Sequence, residues 1–435
     1  MALNLKPPHE IRATYRIVTP MFIGDAEQHA TGISPQSVKG ALRFWWRALQ
    51  WGEIKTADKT DEEALCELHE QEAKLFGIAM DEKRGKSGKV NGQGKFTLRV
   101  IHPQFNTTAQ NTVHSEFKAH DAARYFGYGL MEAFNSKDKG TKAGQLTRSC
   151  INNNQAFDLQ LIFRDQIDDS IKNALIIMGL LGGLGSRVRR GIGSIALERL
   201  VHNYKEYQVS TTTYKDKTEE LFNSPKNEAD YISLIKKHLP DVKNVSQPPF
   251  SAFSNESRID LLVRANSALS ALDDLANGMV MYRSWGKNGE VLKKDSEKNF
   301  KKDHDWKDKN RLKDFHPRRV IFGLPHNYGQ EDRYAVNPEK QKAPYPEGYY
   351  KHDRRASPLL FHVHKVGSKY LGVSILLPAQ FLPTNEKINA GGINVPAKVE
   401  WSVLTDLIDG NIRLEAQGEP RFPKKTPILS GEKIK

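Results

Sequence analysis

Along the first half of the chain the apolar residues change period in a set order, and few folds accept that order. Ile11 to Thr19 alternates branched and aromatic residues with polar ones, and Pro20 closes the run, as a strand requires. After a loop from Phe22 to Ser34 the period lengthens to that of a helix, from Gln36 to about Trp51. A second amphipathic helix runs from Glu62 to Phe76 and stops at Gly77. Phe96 to Ile101 and Phe157 to Phe163 alternate again, Ile167 to Leu181 reads as an apolar helix, and Ser194 to Leu200 as a strand. Strand, helix, strand, strand, helix, strand is the split β-α-β pattern of a ferredoxin-like or RRM-like domain.

The second half is less regular. Residues 203–257 are rich in Lys, Asn, Ser and Pro and read as a connector with a short helix from Ala229 to His238. Strands are expected at Ile259 to Arg264, Leu359 to Val366 and Tyr370 to Leu376, and helices at Ser267 to Trp285 and Ala397 to Leu407. Asp81 to Lys95 and Asn135 to Thr147 read as polar loops. Arg283 to Arg319 holds 13 Lys or Arg against 7 Asp or Glu, a net +6 that usually marks a solvated loop.

Composition narrows the partners. The chain has 435 residues, 65 Lys and Arg against 52 Asp and Glu, and a net charge of +13. Such an excess favours phosphate-rich partners, nucleic acid or a membrane surface. The longest apolar run, Ala174 to Leu184, is about half of what a bilayer crossing needs, and the first residues lack the apolar core of a signal peptide. Cys66 and Cys150 are the only cysteines, so neither a disulfide framework nor a CxxC site is expected. These features point to a cytoplasmic protein with a polyanionic partner.

Two segments have the composition to bind such a partner. At 100° per residue, Val38, Ala41, Leu42, Trp45 and Leu49 form a core stripe on the first helix, while Lys39, Arg43, Trp46, Arg47 and Gln50 gather about 125° away. Three cations around an indole suit a phosphate backbone with one stacked base. The same face would serve equally as a snorkelling basic surface or a protein contact. The second segment, Gly185 to Ser194, reads Gly-Ser-Arg-Val-Arg-Arg-Gly-Ile-Gly-Ser and contains no acid. Gly185, Gly191 and Gly193 would let a phosphate chain approach, with Ser186 and Ser194 beside them. Arg187, Arg189 and Arg190 would supply bidentate donors. The segment lacks the Lys-Ser/Thr ending of a Walker loop, and its glycines follow a helix instead of opening one.

The block Thr19-Pro-Met-Phe-Ile-Gly24 followed by Ser37-Val-Lys-Gly-Ala-Leu-Arg-Phe-Trp-Trp-Arg-Ala48 resembles the opening of CRISPR RAMP proteins. Among them it is most similar to subunit one of the type III-B (Cmr) effector complex. Gly185 to Ser194 is similar to the glycine-rich loop of that superfamily. Phe322-Gly-Leu-Pro-His326 and Arg354-Arg-Ala-Ser-Pro-Leu359 resemble later motifs. The resemblance implies an α+β protein of two ferredoxin-like domains with long polar insertions. The first spans 1–202 with the glycine-rich loop, 203–257 is a connector, and the second spans 258–435 with a basic insertion at 283–319. It also implies a non-catalytic, cytoplasmic subunit that contacts guide or target RNA near the guide 3′ end and neighbouring RAMP subunits. The matched positions are Lys39, Arg43, Trp46, Arg47, Gly185 to Ser194, His326, Arg354 and Arg355. No cofactor, metal or membrane is implied.

Two other classes fit the composition. A metal-independent endoribonuclease would need a histidine beside the attacked phosphate, with His29, His326, His352, His362 and His364 as candidates. Asp273-Asp274 and Asp303-His304-Asp305 offer metal-ligand atoms, though in a spacing that usually faces water. A structural spacer would use the positive charge for solubility alone.

Overall fold

In the computed structural model the described residues are 7–78, 92–208, 213–285, 289–300, 303, 317–327, 333–337, 354–383, 386–390, 393–410 and 421–431. Strand β1 (His9–Ile17) buries Ile11, Ala13, Tyr15 and Ile17 on one face, as its alternation requires. It lies between β3 (Ala156–Phe163) and β4 (Ile195–Gln208), with β2 (Phe96–Ile101) beyond β3 and β5 (Thr213–Asn223) beyond β4, all antiparallel. Three helices accompany this sheet: α1 (Pro35–Ile54), α2 (Asp61–Phe76) and α3 (Asp169–Leu181). Ser34 caps α1 by accepting from the Ser37 amide, and Thr60 with Glu63 forms a reciprocal capping box on α2.

After α4 (Glu228–His238) a second antiparallel sheet is built from β6 (Arg258–Ala265), β7 (Leu359–Val366), β8 (Lys369–Leu376) and β9 (Thr426–Leu429), in the spatial order β7-β8-β6-β9. Helix α5 (Ala268–Arg283) follows β6, and α6 (Ser402–Asp409) precedes β9. Counting strands within each half, both sheets place them as second, third, first, fourth. Each half therefore repeats the strand-helix-strand-strand-helix-strand order. A smaller antiparallel sheet of His326–Asn327, Arg333–Asn337, Lys387–Ala390 and Ile393–Pro396 stands apart.

Three expectations change. Residues 203–208 and 213–223 pair as the antiparallel strands β4 and β5 and do not form a connector. The last helix begins at Ser402, five residues later than expected. The two halves also share their cores: one cluster joins Ile11, Trp45 and Leu175 to Ile259, Leu360 and Val373, and another joins Phe22 and Ile192 to Leu272 and Phe361. Residues 286–288, 301–302 and 304–316 of the basic insertion, with His304, Asp305 and His352, lie outside the described residues.

Candidate nucleic-acid interface

The glycine-rich loop joins α3 to β4, and its glycines serve the chain's own packing. Ser186 and Gly193 donate their amides to the carbonyls of Phe22 and Pro20 at 2.8 and 3.1 Å, and Leu184 donates to Gly193 at 2.9 Å. Gly185 has φ +90°, and a Cβ there would lie 2.6 Å from the Phe22 carbonyl oxygen. Gly193 has φ +73°, and its missing Cβ would collide with the Leu184 carbonyl oxygen. Gly193→Ala should therefore lower stability by about 3 kcal/mol or more, through left-handed strain plus a backbone clash. Urea denaturation would show this as a lower midpoint.

These contacts revise the loop's expected role. Gly191, Gly193 and Ser194 are buried. The Ser194 hydroxyl donates to the Gly191 carbonyl at 2.9 Å and accepts the Val363 amide at 3.1 Å, so it holds β7 and not a phosphate. Gly185 remains exposed, and Ser186 is half-buried beside Arg148.

The turn leaves its three arginines projecting towards the second half. Arg187, itself at φ +61°, donates to the Tyr128 carbonyl at 2.9 Å. Arg189 donates to Ser357 O at 2.9 Å and Arg190 to Phe126 O at 3.0 Å. Across from them lie exposed Arg354 and half-buried Arg355, whose guanidinium donates to Gln380 O at 3.3 Å. Arg187, Arg189, Arg190, Arg283, Arg354 and Arg355 line one groove of about 570 Å³, and among the described residues no carboxylate lines it.

Electrostatics confirms the crowding. Burial, followed by Arg355, lowers the Arg189 pKa to about 10. Burial, then Arg283 and Arg187, lowers Arg190 to about 10. Arg187 is lowered by burial, Arg148 and Arg354. Among the described residues, Arg187, Arg189, Arg190 and Arg355 touch carbonyl oxygens or rings, and neither they nor Arg354 form an ion pair with a carboxylate. A polyanion settling in this groove would relieve like-charge repulsion and add charge-assisted hydrogen bonds.

His326, 7% exposed, lines an adjoining recess of about 170 Å³ with Arg190, Arg283 and Arg319. Its Nδ1 lies 3.5 Å from Arg283 Nη2. Arg283 belongs to this site although the sequence singled it out only as the start of a basic run. It stands at the end of α5, and only the tertiary fold brings that end to the loop.

The basic face of α1 is elsewhere, because α2 covers it. Glu72 of α2 pairs with Arg43 and Arg47, both at 3.4 Å, and Arg43 also donates to the Gly77 carbonyl at 2.7 Å. Trp46 is 2% exposed, donates to Ser170 Oγ at 2.8 Å and meets the Phe76 ring edge-on. It cannot offer its face to a base, so the stacking role expected of it is withdrawn. Lys39 is half-buried near Arg43, and burial, then Arg43, lowers its pKa.

The histidine candidates also separate. His362 and His364 are wholly buried on β7, 3.2 Å apart between Nε2 and Nδ1, and the ring of Tyr231 stacks on His364. Neither can reach RNA. His29 sits in an exposed loop with its Nδ1 3.9 Å from Asp25. Asp273 accepts the Ala123 amide at 2.8 Å, and Asp303 accepts the amides of Arg318 and Arg319. Among the described residues no three His, Cys, Asp or Glu gather as metal ligands, and no helix is long and apolar enough to cross a membrane.

The sequence profile of the RAMP superfamily matches residues 14–198, from β1 through the glycine-rich loop into β4. Over that stretch the chain is similar to RAMP-superfamily proteins. It is 29% identical over 188 residues to the CRISPR system Cmr subunit Cmr1-2 of Pyrococcus furiosus, an alignment covering 42% of this chain and 92% of that one. The crystal structure of apo Cmr1 from Pyrococcus furiosus superposes with a TM-score of 0.53 at 18% identity, over 97% of this chain and 99% of that chain. That likeness is one of fold, and it extends beyond the profile match into the second half. A chain in the cryo-EM structure of the Type III-B Cmr-beta bound to cognate target RNA aligns at 12% identity with a TM-score of 0.46, covering 93% and 98% of the two chains.

Proposed function

We propose that this chain is a RAMP-superfamily protein and a non-catalytic, RNA-binding subunit of a type III-B CRISPR effector complex in the cytoplasm. Its ligand is the guide RNA, the target RNA or both, near the guide 3′ end, and its other partners are neighbouring RAMP subunits. The observation that carries this reading is the groove of six arginines with no carboxylate among its described lining residues. A ribose-phosphate chain supplies anions at regular spacing without demanding base-specific contacts, so guide–target pairing would choose the sequence while this subunit holds the strand. Similarity to a Cmr subunit over 188 residues supports the assembly.

Crosslinking a reconstituted complex with labelled guide and target tests the placement. Crosslinked peptides should come from residues 183–194 and 354–357. Crosslinks confined to the 283–319 insertion would refute the groove. Metal-free cleavage of RNA that disappears on His326→Ala would convert the subunit into an endoribonuclease, since among the described candidate bases His326 lines a recess with arginines.

A further inference from the structure

Beside the arginine groove lies a second cavity of about 190 Å³ with a different lining. Its walls include Ala41, Phe44 and Trp45 of α1, Gly182 of the loop, and Leu360 of β7. Val188, Arg189 and Phe361 line both this pocket and the groove, so the two adjoin. Arg189 stands at the junction with its guanidinium 5.3 Å from the centre of the Phe44 ring.

The pocket is aromatic and apolar, yet it holds one polar group without a partner. Trp45 is 3% exposed. Its Nε1–H lies over Gly182, where an added Cβ would be 2.5 Å away. That N–H donates to no described residue. The Trp51 N–H also lacks a partner but is buried in the core and lines no such pocket, whereas Trp46 donates to Ser170. An indole N–H on a pocket wall with no protein acceptor offers a hydrogen bond to whatever enters the pocket.

We propose that this pocket takes one unstacked nucleobase from the strand whose phosphates rest on the groove arginines. This rests on the RNA-binding reading above and narrows it to unpaired or splayed-out nucleotides. A nucleobase has the chemistry the pocket asks for: flat π faces for Phe44 and Trp45, and a carbonyl or ring-nitrogen acceptor for the indole N–H. Its phosphate lies outward, towards Arg189. A duplex keeps its bases stacked and paired, so it can use the groove but not the pocket.

The test uses the full chain, a short single-stranded RNA carrying 2-aminopurine, and inorganic polyphosphate as a base-free polyanion. Ala41→Leu narrows the pocket, and Trp45→Phe removes the N–H while keeping a ring. Ala41→Leu should weaken RNA binding about 5- to 100-fold and Trp45→Phe about 2- to 10-fold, with both variants binding polyphosphate as the parent does. The 2-aminopurine fluorescence should be quenched on binding to the parent and less so on Ala41→Leu. Equal RNA affinity and equal quenching in parent and variants would overturn the pocket while leaving the groove intact. Equal losses for RNA and polyphosphate would also overturn it, because the substitutions would then be acting through the groove. A parent that binds neither probe would bring down the RNA-binding reading and the pocket with it.

Discussion

A chain carrying Arg187→Ala, Arg189→Ala, Arg190→Ala and Arg354→Ala together should lose about a thousandfold in affinity for single-stranded RNA. Each guanidinium is taken as one phosphate contact worth about 1 kcal/mol after solvent screening, and four such contacts give about 4 kcal/mol. Salt provides the sharper signature. On a single strand the log–log slope is about −0.7 per neutralised phosphate, so the quadruple variant should be flatter by about 2.8. Arg189 and Arg190 also hold carbonyls of Ser357 and Phe126, and their loss could loosen the groove. The pair Arg187→Ala and Arg354→Ala, both exposed, isolates the ligand contacts and should flatten the slope by about 1.4. Replacing Arg43 and Arg47 should leave the slope alone, since Glu72 already neutralises them. An unchanged slope in the quadruple variant would reduce the loop to a turn.

The second large effect is on stability. Burial drives the His362 pKa down to about 3, and His364 is lowered by burial and then by His362. In the unfolded chain each imidazole takes up a proton near its ordinary value of about 6.5, whereas the folded chain excludes it. The unfolded state therefore binds more protons as pH falls, and stability is full above about 6.5 and declines from there towards 3. At pH 5 the loss is about 2 kcal/mol per histidine, roughly 4 for the pair. Denaturant midpoints measured from pH 7.5 to pH 5 would display the decline. His364→Phe, which keeps a ring against Tyr231, should remove about half of it. A midpoint that stays level over this range in the parent would show that the pair is protonated or solvated in the fold.

Much of the topology was legible in the residues because burial enforces periodicity. β1, β2, β3, β7 and β8 each lie within two residues of their expected ends, since each carries an inward-facing apolar row. β5 was missed for the opposite reason: nearly all of Thr213–Asn223 is exposed, so it carries polar residues with no alternation to read. The loop arginines were legible as an acid-free cationic run. The role of α1 was not, because a single helix cannot show what covers it. Glu72 and Phe76 sit a whole helix away in sequence, and they turn the Arg43–Trp46–Arg47 face into an interior contact. Trp45 was assigned to the core stripe, which is right for its burial, but its open N–H depends on the glycine at 182. Arg283 likewise joins the groove only through packing between the halves.

The seam between the halves has a mechanical consequence. Phe361 donates its amide to the Arg189 carbonyl at 2.9 Å, and Val363 donates to Ser194 Oγ at 3.1 Å, so the loop of the first half is zipped along an edge strand of the second sheet. Clusters of apolar residues run through both halves and oppose a hinge between them. The channel walls should therefore keep their spacing when a strand binds. The polymer must do the bending, and a chain stiffened by pairing will fit less well than a supple one.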